Sequence, residues 1–315
     1  MKTITLNDLL VVYLTIPICL LIATIDWLFL DSLIKSSTTA DPHNLLWFGV
    51  IFGLPHVLAG NTLFLDQEYI THYNWRILAI LPFCFLIPYS AYLFGGIICV
   101  IFLEYLASMF HWASQQVGIL AFYTSKRINK NILLAWRFCL FTCISASFFK
   151  SVGSEFLSQY SINSFDGVIG SSLVFSTLLT CYIFKNSKGL KCRTYIASSL
   201  GAVAGMFGLS EMGYPFLGIA CIRLPHDVNA FLFYINHNHQ RNKNEVKNLF
   251  LKLLFLPKPL FAPVLILVSV GLAYYLNWVE SLIVASVLSY FHYITESFVW
   301  KSVGPHRENL NVITS

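Results

Sequence analysis

The chain has 315 residues, of which 57% are hydrophobic and 11% charged, with a formal net charge of +5. A soluble domain carries about 25% charged residues, so a soluble enzyme is excluded at the outset. A β-barrel is excluded too, because short segments of alternating hydrophobicity are missing, and the basic residues cluster between apolar runs, as in cytoplasmic loops rather than nucleic-acid binders.

Apolar runs of membrane-spanning length predict an all-α, polytopic transmembrane bundle of about ten spans, forming one integral membrane domain over residues 1–315. The predicted spans cover residues 8–30, 45–65, 76–94, 96–122, 132–149, 167–185, 195–220, 222–240, 259–277 and 279–300. The first run follows only Lys2 and lacks a small-residue cleavage pattern, so it reads as a span and not a signal peptide. The eighth is the weakest, being short, polar and entered through Leu224-Pro225, and a tilted or re-entrant helix is its alternative. Four basic links, Lys126-Arg127 with Lys130, Lys185 to Arg193, Arg241 to Lys258 and Lys301 to Arg307, are separated by two spans each time. The positive-inside rule then puts all four links and both termini in the cytoplasm, with the chain an integral, multi-pass protein of the inner or plasma membrane if its cell is bacterial. The eight cysteines are dispersed without a C-x-x-C pair and read as reduced core residues.

The residues 223–241 carry His226, Asp227, His237 and His239 in a segment otherwise apolar enough for a membrane. Titratable groups in hydrocarbon are costly, so they mark functional sites by default. His56, His111 and His292 sit inside three further apolar segments. A lone intramembrane histidine more often hydrogen-bonds a neighbouring helix. Four on four spans at similar depth predict a metal site, because imidazole is a neutral ligand. His237 is the ligand expected from the eighth span, with His239 its competitor, since two residues lie about 200° apart on a helix. His226, eleven residues before His237, shares its face but lies about 16 Å higher, so His226 and Asp227 are expected outside the first coordination sphere. Asp227 either pairs with Arg223 or orients another imidazole. His43, His72 and His306 fall in polar links and read as surface residues.

Glu104, Ser108, His111 and Gln115 recur at helical spacing as one polar stripe, and Glu296 follows His292 by one turn. Glu104, Gln115 and Glu296 are therefore the candidate catalytic groups, orienting ligating imidazoles or relaying protons. The all-imidazole set favours a mononuclear non-haem Fe(II), with zinc and copper as alternatives. An open coordination position in a water-poor pocket suits O2 and a lipid-soluble substrate, with the bilayer and no nucleic acid as surroundings.

The order of four motifs resembles the bacteriorhodopsin-related-protein/Blh family of membrane β-carotene dioxygenases. The matching stretches are Gly53-Leu-Pro-His56, Phe110-His111, Ile235-Asn-His237, and Phe291-His292 with Glu296. The resemblance implies a histidine-held non-haem iron and O2-dependent cleavage of a carotenoid's central double bond to give retinal. The chain departs from the pattern where the family's second histidine of the third motif falls on Arg241, and in having a span or two more on the N-terminal side. A di-iron lipid desaturase or hydroxylase ranks lower, because no H-x-x-H-H cluster occurs. A transporter with a His/Glu relay is the non-enzymatic alternative, but no repeat of interrupted helices supports it.

Overall fold

A computed structural model describes residues 6–37, 49–123, 128–152, 159–253, 258–275 and 278–299. His43, His306 and both chain ends lie outside the described residues. Among the described residues the chain is all-helical, with Asp66 and Asn248 forming an isolated bridge. Five helices among the described residues are long and apolar enough to cross a membrane. Large apolar side chains such as Phe94, 91% exposed, face outward while His56 and Asp227 are fully buried. Apolar outside and polar inside is what a lipid solvent requires.

Helix α1 (Leu6–Val11) runs through a 3-10 turn into α2 (Thr15–Phe29). Asp26 then reverses the chain: its carboxylate accepts from the N–H groups of Ile34 (2.7 Å) and Lys35 (3.0 Å) in the short α3 (Leu33–Ser37). A π-helical turn (Gly49–Gly53) leads into α4 (Leu54–Leu63), which has Pro55 in its first turn, where a missing N–H costs nothing. Helix α5 (Gln67–Tyr123) is interrupted at Gly96, whose φ of 63° and ψ of −162° are open only to glycine. Unbroken, its 57 residues would run about 86 Å, nearly three hydrocarbon thicknesses. The break falls at the boundary predicted between the third and fourth spans.

Helices α6 (Lys130–Val152) and α7 (Gln159–Asn186) pack as a pair, joined by a Trp136 Nε1 to Thr180 hydrogen bond of 2.9 Å. Helix α8 (Leu190–Glu211) follows, then α9 (Pro215–Arg241), a short α10 (Leu249–Leu253), a 3-10 turn, α11 (Phe261–Tyr275) and α12 (Trp278–Val299). One boundary is a correction. The sequence predicts a break near residue 221 and a short eighth span entered at Pro225. The chain instead turns at Met212-Gly-Tyr-Pro215, and Pro225 lies inside the 27-residue α9. Gly213, at φ 84°, supplies the left-handed stop, and Pro215 opens the next helix.

The Cα positions group into two compact units. The first comprises residues 1–5, 47–108 and 227–315, the second residues 6–46 and 109–226. In the first, α4 packs against α11 and α12. Asn61 in α4 donates to the Leu288 carbonyl of α12 at 3.0 Å, fixing their register. The second is built on α6, α7 and α8, with α2 against α8.

Candidate metal centre

In the first unit, three helices bring titratable groups together in the interior. α4 contributes His56, α9 contributes Asp227, and α12 contributes His292 with Glu296 one turn later. His56, Asp227, His292 and Glu296 are all buried. His56 Nδ1 lies 3.2 Å from Asp227 Oδ1. Another imidazole, one of the two partners expected for Asp227, is thus beside it. The His56 and His292 rings meet edge to face with centroids 5.1 Å apart. Glu296 Oε2 stands 4.0 Å from His292 Nε2. Tyr234 packs its ring edge against His292 at 5.5 Å. The next residue of α12, Tyr293, donates to Glu104 at 3.1 Å.

Gly60, one turn after His56, permits this arrangement. A Cβ on Gly60 would collide with His292 Nδ1 and lie 2.5 Å from its Cε1. The His292 ring therefore rests on bare α4 backbone. Sequence reading missed Gly60. Its signal was the spacing His56-x-x-x-Gly60, a small residue on the histidine's own face, where helices in membranes approach closely.

The second unit holds its own pair. His111 and His226, both buried, meet edge to face at 5.0 Å. His226 Nδ1 lies 2.7 Å from Gln115 Oε1, so the predicted His111/Gln115 stripe of α5 meets α9 through both of its members. Next to Gln115, the buried Gln116 Oε1 accepts from Tyr13 (2.7 Å), Tyr195 (2.6 Å) and Ser199 (2.9 Å), anchoring α5 to the 3-10 turn and α8. His226 and Asp227 are consecutive residues of α9.

Partner chemistry sets one tautomer. The Gln115 carbonyl only accepts, so it holds the His226 proton on Nδ1 and leaves the lone pair on Nε2. The Asp227 carboxylate faces His56 Nδ1 at 3.2 Å. Carboxylate or amide support behind a histidine is what a metal-binding imidazole requires, and the donor set present fits a divalent transition metal.

The remaining predicted residues stand elsewhere. His237 is buried ten residues past Asp227, about 15 Å along the helix. Its Nε2 faces the Tyr69 hydroxyl at 3.4 Å. His239, partly exposed, lines a separate cavity. His72 is exposed, as its polar surroundings predict. Arg241, where the resembled family has a histidine, pairs with Asp66 at 2.9 Å and with Glu68, and covers the Tyr69 ring at 4.9 Å. Compared with protein families, characterised proteins and solved structures, the chain matches none.

Proposed function

We propose that the protein is an integral membrane, O2-dependent non-haem iron oxygenase acting on a long apolar substrate, in the manner of the carotenoid dioxygenases its motifs resemble. The predicted topology of about ten spans with both termini cytoplasmic belongs to this reading. The single observation that carries it is the buried Asp227–His56–His292 arrangement: two imidazoles in ring contact, one held by a carboxylate, in a protein whose exterior is apolar.

The donor set is read unit by unit: His56 and His292 with Asp227 in the first, and His111 with His226 in the second. His237 and His239 are left out of it, so the weight moves from the end of the 223–241 segment to its start. When bound, Fe(II) supplies O2 activation next to the substrate double bond. The chain supplies the rest. Asp227 sets its carboxylate beside His56, Gln115 keeps His226 in one tautomer, Glu296 and Tyr234 flank His292, and the apolar helices keep water out.

The test is metal analysis of the purified protein. One iron per chain is expected, lost in His56→Ala and His111→Ala but kept in His237→Ala. No stoichiometric iron in the wild type, with metal content unmoved by the first two changes, would overturn the reading.

A further inference from the structure

The structure points to a second ligand-binding place, in the first unit and away from His56 and His292. A cavity of about 320 Å³ is lined by Ile235, Asn238, His239, Leu251, Phe261 and Ala262. Its walls are apolar apart from Asn238 and His239. The volume far exceeds the roughly 30 Å³ of one water.

The orientation of the Asn238 amide can be derived. Asn242 Oδ1 accepts from the backbone N–H groups of Lys247 (2.8 Å) and Asn248 (3.0 Å), so that atom is the oxygen. Asn242 Nδ2 is then the donor, and it gives to Asn238 Oδ1 at 2.5 Å. The remaining atom of the Asn238 amide, Nδ2, is therefore a donor. It is buried, and it has no hydrogen-bond partner among the described residues. A buried N–H without an acceptor is costly and rare in folded proteins. Here it belongs to a side chain that lines an apolar cavity.

We infer that this cavity holds the end of a long apolar molecule bearing a carbonyl or hydroxyl oxygen, which accepts from Asn238 Nδ2. Asn238 follows Asp227 by eleven residues of α9, three turns on the same face and about 16 Å along the axis. That offset sets the reach from the oxygenated end to the reacting bond. The inference rests on the proposed oxygenase reading for its choice of substrate and narrows it to oxygenated end groups.

The test uses two probes of one carbon skeleton, a monocyclic C13 enone and its parent hydrocarbon, titrated against the full chain in detergent. The enone is expected to bind wild type about tenfold tighter, the value of one buried hydrogen bond. Asn238→Leu should abolish that preference while leaving the hydrocarbon's affinity in place, and Ala262→Trp should exclude both probes. Stripping metal with a chelator should leave the preference intact, which separates this site from the metal centre. A preference that survives Asn238→Leu, binding that ignores Ala262→Trp, or no saturable binding of either probe would overturn the inference. Failure of the iron reading alone would show instead as a metal-free wild type that still prefers the enone.

Discussion

Gly60 and His292 share one space: the imidazole lies where any other residue would place its Cβ. Since Gly60 sits one turn after His56 on the same helix face, the two histidines can come into ring contact only because the position between them carries no side chain.

Gly60→Ala should therefore separate site geometry from stability. The substitution removes glycine from a helix interior, which by itself favours the helix by about 1 kcal/mol. It also pushes the His292 ring off α4. The expected result is a melting temperature within a few degrees of wild type, with bound metal reduced at least about tenfold as for loss of an orienting contact. Metal content and thermal unfolding on one preparation check it.

Asp227→Asn keeps the shape of the side chain but replaces the carboxylate that faces His56 Nδ1 with a neutral amide. Metal affinity should fall by about 10–100-fold, the usual cost of removing a supporting carboxylate. Asp227→Ala should fall at least as far. A metal-competition titration measures both, and an unchanged affinity in the two variants would remove Asp227 from the site.

Arg241 is held by Asp66 and Glu68, and Asp66 is 2% exposed. Arg241→Ala strands a buried carboxylate and should destabilise by about 3–5 kcal/mol. Arg241→His restores the histidine of the resembled family's pattern. It should still lose stability, because one imidazole cannot pair with both carboxylates, and it should leave the metal content unchanged, because residue 241 lies fourteen residues past Asp227, about 21 Å along α9. Unfolding and metal stoichiometry report the two halves of that expectation.

Gly96→Ala tests the break in α5. Nothing lies within 4 Å of the Cβ it would add, so sterics with neighbours are not the issue. The backbone conformation is, and strain of about 1–3 kcal/mol is expected. A lowered melting temperature with unchanged metal content is the predicted result.

Much of the architecture was legible in the chain itself. Apolar run lengths marked an all-helical chain with membrane-length helices, five of which stand among the described residues, and a boundary where α5 breaks at Gly96. Pairs on one helix were legible as well: His111 with Gln115, and His292 with Glu296, because 3.6-residue periodicity states which side chains share a face. The boundary near residue 221 was misread because Leu224-Pro225 looked like a helix start, whereas Gly213 and Pro215 carry the stronger stop and start geometry.

What tertiary structure alone decided is how far each helix slides along its neighbours. Depth along the chain suggested that His237 would join His56, yet α4 meets α9 at Asp227, three turns earlier, and His237 meets Tyr69 instead. The nearness of Gly60 to His292 and the unpaired amide donor of Asn238 belong to the same class of fact. Periodicity fixes the angle of a residue around its own axis, but the axial offset between two helices comes from how their side chains pack. A single sequence, read one helix at a time, carries the first and not the second.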